Sequence, residues 1–167
     1  MTDRGKFLLF YSVLFTVLLI GDAYSKMVIV QYLTERESLE LMPFIKFVLV
    51  YNRGAAFGFL SEQGGWQQFL FIAIGLGVSL LILIRLFRAA GSYLWYEVSL
   101  VLILAGALGN LLDRIRIGQV IDFVQVYYDD WQFPAFNLAD MAIFVGVVML
   151  ILEILGLAPG RKGEQID

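Results

Sequence analysis

Two Asn-x-x-Asp pairs, Asn110/Asp113 and Asn137/Asp140, flank a stretch in which a further acid, Asp122, lies between Ile121 and Phe123. Residues three apart share a helix face, so each pair presents an amide and a carboxyl together. A carboxyl among apolar neighbours is partly desolvated, and desolvation and a nearby carboxylate both raise a pKa. Asp122 and Asp140 could therefore hold one proton between them, one acting as base and the other as acid. Such a pair activates water for attack on an amide and needs no metal and no cofactor. The chain has no His and no Cys, which excludes a Ser-His-Asp triad, a thiol nucleophile, a disulfide framework and a His- or Cys-ligated zinc site.

Each of these residues also has a plainer reading. Asn137 followed by Asp140 resembles a capping box, and helix N-termini favour carboxylates in any case. Asp122 could be a solvated loop acid like Asp129 and Asp130, although those two sit in a polar turn, YYDDWQ. Asp22 and Lys26, four apart, can pair on one helix face. Glu97 is expected near the cytoplasmic end of its helix, within reach of water, and Glu153 a turn or two from the cytoplasmic face, both structural.

These groups need a scaffold that crosses lipid. Of 167 residues, 60% are hydrophobic and 16% charged, with a mean hydropathy of +0.79, the composition of a membrane protein. A net charge of -3 with 12 Lys+Arg offers no basic face for nucleic acid. The pattern predicts one domain over 1–167, mainly α, with four transmembrane helices at about 7–30, 66–84, 94–112 and 139–157. Arg4 and Lys6 before the first apolar run would also fit a cleaved signal peptide. No small-x-small site follows promptly, however, and Asp22, Tyr24 and Lys26 read better as part of a retained helix.

Arg4, Lys6, Arg85, Arg88, Arg161 and Lys162 are packed into short segments beside helix ends, while Lys26, Arg36, Lys46, Arg53, Arg114 and Arg116 are spread over long loops. That density predicts cytoplasmic termini, with residues 31–65 and 113–138 facing outward. In the first outward loop, Leu39–Val50 and Ala55–Leu60 have strand-like content separated by the Asn52-Arg53-Gly54 turn signal, which reads as a small β-sheet on the membrane surface. Val120–Tyr128 fits either a short strand or an interfacial helix.

At these residues the sequence resembles the bacterial lipoprotein signal peptidases, or signal peptidase II, a family of membrane aspartyl proteases. Asp22-Ala23-Tyr24-Ser25-Lys26 is similar to the family's first motif, with Ala23 and Ser25 in place of the usual Gln and Thr. Asn52-Arg53-Gly54-Ala55-Ala56-Phe57-Gly58 is similar to its Asn-x-Gly-Ala-Ala-Phe segment. Gly109-Asn110-Leu111-Leu112-Asp113-Arg114, then Val120-Ile121-Asp122-Phe123, and Phe133 through Asp140 match its later motifs in order. The resemblance implies a catalytic dyad of Asp122 and Asp140, supported by Asp22, Lys26, Asn52, Gly54, Asn110, Asp113, Arg114 and Asn137. It also implies a prolipoprotein substrate whose Cys carries diacylglycerol, a cut just before that Cys, and a monomer in the bacterial inner membrane, contacting lipid, with its site at the outer leaflet. Gly54 and Gly58 suggest that residues 52–59 cover the site.

Three other classes compete with that expectation. A proton- or ion-coupled transporter also places carboxylates in a bundle, but with repeated halves and polar groups near the midplane. An assembly or anchoring protein needs no paired acids, though Ala105 and Gly109 could bring helices close. A Ser-Lys hydrolase would use Lys26 as base, yet Ser25, its neighbour, points about 100° away on a helix.

Overall fold

The computed structural model describes residues 3–35, 37–54, 65–89, 91 and 93–159. The described chain runs α1 (Asp3–Tyr32), β1 (Ser38–Met42), β2 (Ile45–Asn52), α2 (Trp66–Ala89), α3 (Leu94–Ile117), β3 (Val120–Tyr128), β4 (Trp131–Gln132) and α4 (Leu138–Ile154). Three helices, Arg4–Tyr32, Trp66–Arg88 and Leu94–Ile117, are long and apolar enough to cross a membrane. The chain is a multi-pass membrane protein, mainly helical, with a small antiparallel sheet.

The first helix is one unbroken element of 30 residues, about 45 Å long. Gly21 and Asp22 do not interrupt it, because Asp22 finds a partner one turn on, in Lys26. The third helix continues past the expected boundary at 112 to Ile117, where Gly118 takes a left-handed conformation (φ 75°) and its N–H bonds the Arg114 carbonyl. Asp113 and Arg114 thus sit on a helix and not in a loop. The last helix stops at Ile154, short of the expected 157. Gly156 (φ 73°) donates to the Glu153 carbonyl and Leu157 to that of Leu152, the paired bonds of a Schellman motif. Its 17 residues reach about 26 Å.

Packing centres on α3, which touches the other three helices. Small residues set the closest approach. A Cβ on Gly106 would lie 2.2 Å from the Ala139 carbonyl oxygen, and one on Gly146 would lie 2.7 Å from that of Ser99. At the end far from the sheet, Tyr11, Ile82, Leu86, Leu100, Val101 and Leu104 form an apolar cluster. Glu97, expected to reach water there, is fully buried. It accepts from the Tyr11 hydroxyl and from the backbone N–H groups of Gly91 (2.8 Å) and Tyr93 (3.1 Å), so the turn between α2 and α3 closes over it.

The sheet has strand order β1-β2-β3-β4. Its first turn falls inside the segment expected to be one strand: Pro43 and Phe44 (φ 76°) join β1 to β2, a Pro-then-positive-φ pattern of a type II turn. Asn52, the first residue of the Asn52-Arg53-Gly54 signal, ends β2, and the second strand expected at Ala55–Leu60 lies outside the described residues. Residues 120–128 resolve as a strand, because β2 offers them an antiparallel edge from Ile45↔Val126 to Asn52↔Val120, with a bulge between Phe47 and Val50. Leu49 and Phe123 pack on Ile29 near the end of α1, fastening the sheet to the bundle.

The glycine contacts predict opposite effects for two substitutions. Gly106→Ala forces α3 from α4 and should lower stability by about 1–3 kcal/mol. Gly77→Ala, with nothing within 4 Å, should be neutral or stabilise by up to about 1 kcal/mol. Thermal unfolding of the purified variants in one detergent checks both.

Candidate active site

The N-terminus of α4 leaves backbone N–H groups without helical partners, and three side chains take them. Asn137, the N-cap, accepts from the Asp140 N–H at 2.9 Å, while the Asp140 carboxyl accepts from the Asn137 N–H at 3.2 Å. The capping box expected from the sequence is therefore present. The third N–H, that of Ala139, donates to Asp22 Oδ1 at 2.9 Å across 117 residues of chain. Asp22 thus caps α4 from α1.

Asp22 is held in turn by Lys26, whose Nζ lies 2.7 Å from Asp22 Oδ2, 2.8 Å from Asp113 Oδ2 and 3.3 Å from Asn110 Oδ1. An ammonium has three donors and no acceptor, so Lys26, only 2% exposed, is saturated. Because Lys26 can only donate, the Asn110 oxygen must face it and the Asn110 amide nitrogen must face away. That nitrogen donates to Asp140 Oδ1 at 2.7 Å. Gly109 has no side chain because Asp22 Oδ2 lies 2.8 Å from where its Cβ would be. Ser25 bonds back to the Asp22 carbonyl at 2.8 Å, and with Lys26 committed to two carboxylates the Ser-Lys pairing has no geometric basis.

The sheet brings the second carboxyl. The segment before α4 runs beside β3, the Phe136 carbonyl accepting from Phe123 and Val124 and the Phe136 N–H donating to Val124, which sets Asn137 against Asp122. Asn137 Nδ2 donates to Asp122 Oδ1 at 2.7 Å, and Asn52 Nδ2, at the end of β2, donates to Asp122 Oδ2 at 3.0 Å. Asp122 is 2% exposed. Burial first, and the Asp140 charge second, push its pKa up to about 7, against the lowering pull of the two amides and Lys26. Arg114 donates to the Gly54 and Asn110 carbonyls at 3.0 and 3.3 Å and lies over the Phe71 ring at 5.2 Å.

All ten residues singled out from the sequence meet in this one network: Asp22, Lys26, Asn52, Gly54, Asn110, Asp113, Arg114, Asp122, Asn137 and Asp140. Asn52 reaches Asp122 itself, which is more direct than the covering role expected of its loop, and Ala55 to Phe59 of that loop fall outside the described residues. Two residues were missed. Gln68 donates to the Arg114 carbonyl at 3.0 Å, and Phe71 lies beneath the guanidinium. Gln68 could have been flagged as an amide at the mouth of an apolar span, whereas nothing in the sequence distinguishes Phe71 from the other aromatic residues.

A model of the family described as Signal peptidase (SPase) II matches residues 14–156. The chain belongs to the signal peptidase II family. It is 46% identical over 146 residues to the lipoprotein signal peptidase of Burkholderia vietnamiensis (strain G4 / LMG 22486) and 47% identical to that of Burkholderia cenocepacia (strain HI2424), covering 87% of each chain in both cases. A solved bacterial membrane enzyme, determined by the in meso method at 2.3 Å resolution, superposes with a TM-score of 0.80 at 27% identity over 94% of each chain. A second, at 1.9 Å resolution, gives 0.76 at 29% identity, covering 87% of this chain and 92% of the other. As a signal peptidase II the chain is a protease, and the transporter reading finds no support in this assignment.

Removing the ammonium tests the network. Lys26→Met leaves the buried Asp22 without its counter-charge, takes the ammonium 2.8 Å away from Asp113 and frees the Asn110 amide, so stability should fall by about 3–5 kcal/mol. Lys26→Arg should not restore cleavage, because a planar fork cannot reproduce three donors around a point. Thermal unfolding beside single-turnover cleavage of both variants checks this.

Proposed function

We propose that this signal peptidase removes the signal peptides of prolipoproteins with Asp122 and Asp140 as its acid–base pair, cutting just before a diacylglyceryl-modified Cys. The observation that carries the reading is the unequal setting of two carboxyls joined through one residue, Asn137, whose side-chain amide donates to Asp122 and whose backbone N–H donates to Asp140. Asp140 lies in the first turn of α4, where negative charge is favoured, and it accepts N–H donors from Asn110 and Asn137. Asp122 is buried in the sheet beside that charge. Among the described residues, four carboxyls, those of Asp22, Asp113, Asp122 and Asp140, face two cations, Lys26 and Arg114. The resting proton belongs on Asp122.

In this scheme Asp140 takes a proton from water as the oxygen attacks the scissile carbonyl carbon, and Asp122 gives its proton to the carbonyl oxygen. The tetrahedral diol then collapses. Asp140 passes its proton to the departing amide nitrogen, the C–N bond breaks, and Asp122 regains a proton from the diol as the new carboxyl forms. Asn110, Asn137 and Asn52 hold both carboxyls in place, so no free rotation precedes the chemistry. Arg114 and the Gly54 backbone border the same space and are placed to align the substrate chain.

Taking α4 as a fourth span puts the network at one end of a four-helix bundle. At about 26 Å it is at the short limit for a span, and its apolar Met141–Leu152 surface supports that reading. The density of Lys and Arg supports cytoplasmic termini, and with that orientation the proposed site faces the outer leaflet of the inner membrane.

Three outcomes are expected. Asp122→Asn and Asp140→Asn should each abolish single-turnover cleavage of a lipidated precursor, the double variant should be little worse than either, and Asp129→Asn should be nearly silent. Residual turnover in Asp140→Asn, with only the ~1 kcal/mol stability loss of a weakened cap, would reduce that residue to a structural role. For pH, kcat/KM should fall as pH rises through about 7, where Asp122 gives up its proton. Stability should move the same way: a carboxyl raised in the folded state stabilises fully below its unfolded value, and that contribution is lost as pH rises through the folded one. Asp122→Asn should flatten this dependence in a pH series of thermal melts. For orientation, a single cysteine placed at 36 should react with an impermeant thiol reagent in intact cells, and those at 89 and 163 should not.

A further inference from the structure

The two hairpins of the sheet turn at the same end. Pro43-Phe44 joins β1 to β2, Asp129-Asp130 joins β3 to β4, and the Tyr127 N–H donates to the Phe44 carbonyl at 3.0 Å, which locks the tips side by side. Phe44 stacks on Tyr128 with ring centroids 5.6 Å apart, and Tyr128 pairs with Trp131 across the second hairpin. Leu41, Met42, Phe44, Tyr128 and Trp131 are all exposed, the last two at 67% and 59%. A contiguous apolar and aromatic patch of this kind on a turn is covered by something.

Its position and charge select the occupant. The root of the sheet is fastened to the end of α1 through Leu49, Phe123 and Ile29, so the tips extend from a membrane-spanning helix. Phe, Tyr and Trp are the side chains that settle where headgroups meet acyl chains. The turns carry Asp129 and Asp130 and no Lys or Arg, and Lys46 is turned onto the Tyr127 ring at 5.1 Å. An anionic surface or an acidic peptide would be repelled there, whereas a zwitterionic lipid surface gains from apolar burial alone.

We propose that the paired hairpin tips insert into the headgroup–acyl boundary of the bilayer and thereby hold Asp122 at a fixed height beside Asp140. Tyr128 lies six residues along β3 from Asp122, about 20 Å, so the strand is a lever with lipid at one end and a carboxyl at the other. The sheet carries Asp122 and α4 carries Asp140, so a tilt of the sheet changes their separation. Only the second half of this inference rests on the dyad assignment.

The Cys-free chain allows single cysteines at 40, 44 and 131 to carry a nitroxide in phosphatidylcholine nanodiscs. Oxygen over a water-soluble nickel chelate should be favoured at 44 and 131 at least threefold more than at 40, equally at 50 and 500 mM salt. Nickel-favoured accessibility at 44 and 131, or spin–spin broadening from a second copy covering the patch, would overturn the insertion, whatever the fate of the dyad. The variant F44S/W131S should then cleave a bilayer-embedded precursor at least fivefold more slowly than the parent in nanodiscs, yet within twofold of it in detergent. Equal rates in nanodiscs would remove the lever.

Discussion

A buried ammonium surrounded by lipid-facing helices persists only if each of its N–H donors is taken, and the acceptors around Lys26 are the ones that fix the rest of the site. Its first partner, Asp22, keeps one oxygen for Lys26 and the other for the N-terminus of α4. Its second, Asp113, keeps an oxygen that also lies 3.4 Å from the Ile121 N–H on β3. The third is the oxygen of Asn110, whose nitrogen is thereby aimed at Asp140. One point charge thus registers α1, α3, α4 and the sheet against each other. Neutral hydrogen bonds could not do so as firmly, since charge-assisted bonds in a low dielectric are the strong ones.

Close helix packing makes those short bonds geometrically available. With Gly106 under the Ala139 carbonyl and Gly109 under Asp22, α3 approaches α4 and α1 near enough for short side chains such as Asn and Asp to span the gaps. Longer side chains would bring more rotamer freedom and a looser site. Short, branched polar groups on close backbones hold the two carboxyls rigidly.

Much of this was legible beforehand, for identifiable reasons. Three-residue Asn-x-x-Asp spacing survives on any helix, so Asn110/Asp113 and Asn137/Asp140 could be read without knowing helix bounds. Asp22 and Lys26 declared themselves because ionisable groups rarely stand in an apolar run unless paired. Asp122 stood out by contrast with its apolar neighbours. Strand against helix for 120–128 was not legible, because that choice is made by β2, a partner 70 residues away by way of Asn52 and Asp122. The Pro43-Phe44 turn was hidden because Phe at positive φ breaks the usual Gly or Asn preference. Glu97 was misjudged because closure of the α2–α3 turn over it depends on Tyr11 in another helix.

The Asp22-to-Ala139 bond has a consequence for biogenesis. A chain inserted from its N-terminus acquires α1, the sheet edge β2 and α3 well before α4 exists, yet Asn137 and Asp140 lie on the last element to be made. Until that element docks, Asp122 lacks both its partner carboxyl and the Asn137 amide, and the α4 terminus lacks the Asp22 cap that fixes its pose. With Asp122 and Asp140 as the proposed acid–base pair, hydrolytic competence is withheld from every form of the chain in which α4 has not docked. On that proposal, a copy whose last helix is still undocked has no means of cutting the apolar segments around it.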